Sequence, residues 1–441
     1  MNRKLLKVIE SGSCCGCGAC IALDNSSNSK MIDTPFGPLP KFGSDSSIPE
    51  YIKDACPCVG VNYPDLYKEV YGKLPDNWLT GEIKKVRTGY SNQSDVRKNA
   101  ASGGVITQTL IYLLENRLVD AVIVAKQGIP SADKARAVIA RTKEEIVECS
   151  QSIYIPVSML DILRNLDPEE KYAITCLPEQ SASLRVLQKK KFGPALQIKY
   201  LLGPYTGTAL YPEAIRCYLR SKNIKDNDQI TSLKWREGDW PGCLEIRTAS
   251  GRILRTPKVY YNYLIPFFIT QTSLQSMDFV NEFADLSVGD AWSPAFEVEG
   301  GGHSVVVTRS NHMEKIISEM IKNKLLILKE EDPIKASDMH GHMLDFKKRG
   351  GYLRNKWRKI LGKHSPNYGY RPSQIYPSRI IAEIIISLIF AIGKTKTARW
   401  IVSRLPESFI GPIFNNLRLA WKNASRPTKR KGLASYRVIL D

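Results

Sequence analysis

The sequence is short of histidine throughout and short of acid at its end. Its five histidines form no His-rich metal arrangement and no Ser-His-Asp constellation that would activate a nucleophile. The glycine-rich Walker loop that cradles nucleotide phosphates is missing, and no internal repeat is visible. Long apolar runs are missing too. Ile380 to Ile392 is interrupted by Glu383 and Ser387 and is too short to read as a membrane span. The opening MNRKLLKVIE has neither the apolar core nor the cleavage site of an export signal, so a cytoplasmic chain is expected. Acid is scarce only at the end. Residues 341–441 carry 21 Lys and Arg against 4 Asp and Glu, so +17 of the formal charge of +19 lies there. That imbalance sets the last quarter apart from the body.

At 441 residues the chain is long enough for two or three domains. Composition and motifs divide it into a cysteine-rich segment at 1–80, an α/β body at 81–340 and a basic region at 341–441. Ten cysteines are present; four fall between Cys14 and Cys20, and Cys56 and Cys58 follow. Clustered cysteines without an export signal point to metal ligation over disulfides. Cys14-x2-Cys17-x2-Cys20 is the opening of a bacterial-ferredoxin cluster motif, and the Cys56-Pro57 pair can supply a fourth thiolate. Gly16 and Gly18 let the loop wrap tightly. Asp24 stands where the next cysteine of the motif would fall, ahead of a polar loop and a Pro/Gly-rich turn region at 35–40. The best count is one four-iron cluster on Cys14, Cys17, Cys20 and Cys56, with Cys58 the rival for the fourth place and Cys15 a bystander. A structural zinc site would use the same thiolates.

The stretch RKNAASGGVITQTLIYLLENRLVDAVIVAK, residues 97–126, organises the body. The spacing of Val105, Ile106, Leu110, Ile111, Leu113 and Leu114 predicts a helix over 103–116, and 119–125 reads as a buried strand. Ser102 is a natural N-cap. Gly103 and Gly104 would leave backbone N–H groups open to an anion, most often a phosphate; an ordinary capped helix is the plainer reading. Further on, 160–166, 181–187 and 212–221 read as helices, 172–176 and 195–202 as strands, and 233–254 as a β-hairpin turning at Ala249-Ser250-Gly251. Alternating helices and strands predict an α/β fold.

Several stretches, taken in order, resemble the coenzyme F420 hydrogenase/dehydrogenase beta-subunit family of iron–sulfur flavoproteins. CGCGAC and IKDACP are similar to its cluster-binding start, and residues 97–124 to its flavin block. SIYIP, YAITCLPEQSASLR, LKWREGDWPGCLEI and FADLSVGDAW resemble its later segments. The resemblance implies a ferredoxin-like iron–sulfur segment on a mixed α/β flavin-binding body, with a basic helical C-terminal appendage. It implies an oxidoreductase that passes electrons between one 4Fe-4S cluster and a bound flavin, FAD or FMN. The acceptor would be an organic substrate or coenzyme F420, with surface-polysaccharide synthesis as a setting. A ferredoxin-like donor or a partner redox subunit would be its partner. Ser102, Gly103 and Gly104 would hold the diphosphate, Tyr154 and Trp292 would border the ring, and Lys126 would offset negative charge. Asp290 and His303 are the catalytic candidates; the plainer readings are a turn aspartate and a surface histidine on a glycine-rich loop. Glu179, Gly203, Ser273 and Ser276 stand where family members with a second cluster carry cysteines, so one cluster is expected. Ser152-Ile153-Tyr154 stands where the family has Ser-Lys-Tyr, and any role of that lysine is absent.

In the basic region, Trp400, Ile401, Phe409, Ile413, Phe414, Leu417 and Trp421 lie among Lys and Arg. Such short amphipathic helices suit an anionic membrane surface, here the inner membrane face; a helical appendage with a solvated basic face is the alternative. No nucleic acid is expected, since no recognition motif accompanies the charge. Residues 423–431 read as a flexible polar linker. The rival function classes are a binding or scaffold protein with a structural metal site and an electron-transfer subunit. Cys17→Ser is expected to lose iron and sulfide in an anaerobic assay, and full retention of both would refute the ligand assignment.

Overall fold

A computed structural model of the chain describes residues 3–257, 261–424 and 431–441. Most of the linker read at 423–431 lies outside the described residues. The body is built on one mixed sheet of eight strands: β1 (Lys85–Ser91), β2 (Ala121–Gln127), β3 (Ala135–Ala140), β4 (Tyr172–Thr175), β5 (Ile198–Pro204), β6 (Leu286–Asp290), β7 (Ser304–Thr308) and β8 (Leu326–Glu330). Their order is β8-β1-β7-β6-β5-β4-β2-β3. The β6, β5, β4 and β2 strands run parallel, and the outer pairings are antiparallel.

The parallel centre follows from its residues. Ala121 to Val124, Ala173, Ile174, Leu201 and Leu202 are buried in continuous apolar runs, as strands covered on both faces must be. Alternate residues serve opposite layers. Val122 and Val124 pack under helix α1 (Val105–Glu115), while Ala121 and Ile123 face the layer of α2 (Pro178–Lys189) and the cysteine segment. Helix α3 (Asn311–Lys322) joins the first layer through Met313 and Ile317.

Local chemistry moved several boundaries. The expected strand at 195–202 begins as a helical turn, Gly193–Leu196, because Pro194 sits in its first turn; extended structure starts at Ile198. The helix at 160–166 is a 3₁₀ turn, Asp161–Asn165. Part of the turn region at 35–40 is strand: Gly37–Lys41 pairs with Lys30–Thr34. The hairpin at 233–254 is a three-stranded meander, Ile230–Glu237, Cys243–Thr248 and Ile253–Pro257. It does turn at Ala249–Gly251, and a second reversal uses Gly238 and Gly242 at φ 82° and 76°.

The basic region is not one solvated face. A π-helical turn, Phe346–Gly350, leads into α4 (Gly351–Ile360), followed by α5 (Pro377–Gly393), α6 (Lys396–Val402) and α7 (Glu407–Ala424). Lys347, Lys348, Arg349, Arg354 and Arg379 are buried. Their charges are matched: Lys348 pairs with Glu282 at 2.5 Å, Arg349 and Arg379 share Asp345, and Arg354 and Arg379 share Glu383 at 2.5 and 2.8 Å. Burial, and then Glu282 beside it, push Asp278 up to about 7. The final strand, Val438–Leu440, returns to pair with Tyr370–Pro372.

Removing one partner of a buried pair leaves a desolvated charge behind. Glu383→Ala strips the carboxylate from both Arg354 and Arg379. The expected cost is about 3–5 kcal/mol in urea denaturation; a change within about 0.5 kcal/mol, the scale of an unremarkable surface substitution, would show that this carboxylate does not hold α5.

Candidate functional site

Two sites emerge. The first is lined by thiols. Gly16 and Gly18, at φ 68° and 89°, turn the loop so that Cys14, Cys15, Cys17 and Cys20 face one enclosed space. A side chain at Gly18 would strike Ser158 Oγ at 2.4 Å and the Asp161 nitrogen at 2.5 Å, so the loop is pressed against its neighbour. Cys56 closes the short helix Ile52–Ala55 and, with Cys58, completes the wall of a small cavity. Leu5, Met31 and Ile52 supply apolar lining. Cys15, expected as a bystander, lines this cavity with its thiol against Cys17 and Cys58. Asp24, at the place of the missing motif cysteine, instead organises the polar loop: it accepts from Ser26 N, Ser46 Oγ and Ser47 N at 3.2, 2.7 and 2.9 Å.

Burial, with Cys17 beside it, pushes the Cys14 thiol up to about 12, and the same two causes raise Cys20. These groups stay protonated unless a cation joins them. The Gly16 N–H donates to Cys14 Sγ at 3.4 Å. By its chemistry a thiol-only donor set in an apolar wall suits an iron–sulfur cluster or zinc, although its side chains are not drawn together as ligands. Among the described residues, no group of three or more His, Cys, Asp or Glu side chains is arranged to hold a metal ion.

The second site lies at one end of the sheet, where β6 ends at Asp290, β7 begins at Ser304, and Gly89 of β1 pairs with Ser304. Ligands of open α/β sheets collect at the carboxyl ends of strands. The buried Arg236, from the first strand of the meander, gathers the site. Its guanidinium donates to Tyr154 OH at 3.1 Å, to Asp290 Oδ2 at 3.2 Å, and to the backbone carbonyls of Ala101 and Pro241, each at 2.6 Å. Burial works against its charge, while Asp290 and Tyr154 favour it. Trp240 stacks near Trp292, with ring centres 4.8 Å apart.

Ser102 does not cap α1; Gly104, left-handed at φ 75°, occupies that position. The Ser102 hydroxyl instead donates to the His303 carbonyl at 2.6 Å. The Gly103 N–H is spent on Ser304 Oγ at 3.1 Å, and a Cβ there would meet the Gly89 carbonyl at 2.6 Å. Gly103 is therefore required by the packing of the turn on the sheet. His303 is buried rather than on the surface, stacked on Phe296 at 4.6 Å and paired with Glu299 at 3.0 Å; burial lowers its pKa. Arg97 ties the glycine loop down by donating to the Gly301 carbonyl at 3.2 Å. Asp290 is more than a turn aspartate, since it carries the Arg236 ion pair. Lys126, near the end of β2, pairs with Glu148 at 2.8 Å.

The structure thus brings Ser102, Gly103, Tyr154, Asp290, Trp292 and His303 to one neighbourhood. It adds Arg236, Trp240 and Tyr261. The first two lie inside the WREGDWP stretch, which the sequence marks as a block without ranking its residues. Nothing in the sequence singles out Tyr261. Trp240 Nε1, Tyr261 OH and His303 Nδ1 are buried without a hydrogen-bond partner. Buried atoms of this kind fit a ligand that supplies the missing acceptors and donors, as a flavin's ring and ribityl groups do.

Fold and sites define an α/β protein of mixed sheet with a thiol-lined centre and a separate polar site at one end of the sheet. Two models of the coenzyme F420 hydrogenase/dehydrogenase beta subunit match, the N-terminal one over residues 86–164 and the C-terminal one over residues 169–334. The chain belongs to this family. The coenzyme F420 hydrogenase subunit beta of Methanothermobacter thermautotrophicus is 22% identical over 272 residues, covering 58% of this chain and 88% of that protein. The coenzyme F420-dependent sulfite reductase of Methanocaldococcus jannaschii is 26% identical over 343 residues, 71% of this chain, and the chain spans 47% of that protein. A chain of the F420-reducing nickel–iron hydrogenase complex from Methanosarcina barkeri shares the fold, with a TM-score of 0.51 at 19% identity over 66% of this chain and 97% of that one. Among the described residues no helix is long and apolar enough to cross a membrane.

Because the Tyr261 hydroxyl has no partner, Tyr261→Phe is expected to leave the melting temperature unchanged or slightly raised. A clear fall on thermal unfolding would reveal a contact that this geometry lacks.

Proposed function

We propose that this chain is a cytoplasmic iron–sulfur flavoprotein oxidoreductase. Cys14, Cys17, Cys20 and Cys56 would hold one 4Fe-4S cluster. A flavin, FAD or FMN, would sit in the site bounded by Ser102, Gly103 and Gly104, with Tyr154 at its side and Lys126 at the end of β2. The observation that carries this reading is the pairing, in one body, of a thiol-lined cavity with a polar site where three buried polar atoms lack partners. When bound, the cluster supplies one-electron transfer and the flavin links it to hydride chemistry.

The chain's own residues would do the rest. Arg236 orients Tyr154 and Asp290 and fixes the turn before α1. His303, whose charged form burial disfavours, would hold or release a proton at Nδ1 beside the reacting ring. Trp240 and Trp292 would exclude water. The family and its redox-named relatives support electron transfer through a ferredoxin-like donor or a partner redox subunit. The final acceptor would be coenzyme F420 or an organic substrate, such as a sugar or lipid-linked sugar in surface-polysaccharide synthesis.

A single cluster is supported by packing at three of the four family cysteine positions. A side chain at Gly203 would strike Asn281 Nδ2 at 1.8 Å, and the Ser273 carbonyl accepts from the buried Lys347 ammonium at 2.9 Å. Ser276 Oγ donates to the Asp278 carbonyl at 3.2 Å.

The test is a cofactor assay on anaerobically purified protein: visible spectrum, released flavin, iron, sulfide and zinc. About one flavin with four irons per chain is expected. Zinc without flavin would overturn the reading in favour of a binding protein. In the same assay Tyr261→Phe should weaken flavin retention about three- to tenfold, the worth of one hydrogen bond; unchanged retention would move the flavin elsewhere.

A further inference from the structure

The redox reading leaves one surface unused. On α5, Ile381, Ile384, Ile385, Leu388, Ile389 and Ile392 are between 45% and 65% exposed. Their spacing places them on one stripe of the helix. The opposite face is locked to the protein. Arg379 and Glu383 join the buried ion network, and a Cβ on Gly393 would meet the Pro266 carbonyl at 2.3 Å. The apolar stripe is therefore held outward. Trp400 on α6 and Phe409 on α7 are exposed as well, at 58% and 59%. A contiguous apolar patch of this kind marks an interaction site.

Charge chooses the occupant. From residue 346 to residue 406 the only carboxylate is Glu383, and it is fully buried. Lys396 and Arg404 are exposed beside the stripe, with the Arg404 guanidinium 4.1 Å from the Trp400 ring centre. Residues 346–406 thus present an aliphatic stripe with cations and a tryptophan and expose no carboxylate of their own. A second copy would bring the same positive charge against itself. An anionic lipid layer neutralises it and accepts aliphatic side chains without specific hydrogen bonds. The 17 residues of α5 would lie in the plane of the bilayer, since none of the described helices can cross it.

We propose that α5, with the exposed edges of α6 and α7, docks the protein on an anionic membrane surface. The proposal goes beyond the redox reading and stands without it.

The experiment is co-sedimentation of the full chain with vesicles of phosphatidylcholine containing phosphatidylglycerol, against phosphatidylcholine alone. The expected result is binding to the anionic vesicles that weakens with salt and falls roughly tenfold or more in Ile385→Asp/Leu388→Asp. Ile253→Asp, an exposed change on the meander, serves as the charge control and should bind like the parent. Ile384→Gln/Ile392→Gln serves if the aspartate variant loses its circular-dichroism melt. Absence of parent binding, or variants that bind as well as the parent, would overturn the proposal. So would a parent dimer that binds no vesicle and that the variants dissociate, which would assign the face to a second copy.

Discussion

Glu282 is the point at which three parts of the chain meet. Its carboxylate, fully buried, accepts from Tyr67 of the cysteine segment and from Lys348 of the basic region, and it belongs itself to the loop that enters β6. Lys348 also donates to Tyr370 at 3.2 Å, beside the strand that the chain's last residues complete. A charge so deep is tolerable only because it is paired and fully hydrogen-bonded. The segments that supply its partners cannot drift apart without exposing an unpaired ion to a low-dielectric interior. Asp345 and Glu383, equally buried, each pair with two arginines.

This arrangement sets the geometry of the thiol site. The thiol cavity hangs on a segment anchored through Tyr67, and Cys58 is tied to the basic region where its carbonyl meets His364 Nε2 at 2.6 Å. The polar site depends on a different ion, Arg236, which joins the meander to the sheet end and to the turn before α1. One buried cation thus positions groups from four separate stretches of chain. The outward stripe of α5 is a by-product of the same network, because the charges on its inner face determine its rotation.

Much was legible from sequence where the signal is local. The strand read at 119–125, which the structure places at Ala121–Gln127, the helix read at 103–116, which is α1, and the turn at 249–251 follow from periodicity and turn chemistry. The gathering of Cys14, Cys17, Cys20, Cys56 and Cys58 follows from spacing and a Cys-Pro pair. Misreadings arose where two local rules compete. Ser102 has the chemistry of an N-cap, but the left-handed Gly104 takes that place and the Ser102 hydroxyl finds a carbonyl across the sheet end. His303 follows three glycines, which suggests exposure, yet Arg97 and Phe296 enclose it.

The sequence by itself determined the α/β class, the cysteine cluster and the excess of positive charge, since each is a matter of composition or short-range period. It also marked the WREGDWP and LSVGDAW stretches as blocks. Only the tertiary structure decided which of their side chains meet. Arg236 and Asp290 are 54 residues apart in sequence and form one ion pair. It also decided that much of the basic charge is buried. A lysine or arginine reads as solvent-facing until a carboxylate from a distant stretch is seen beside it, and that pairing has no local periodicity to announce it.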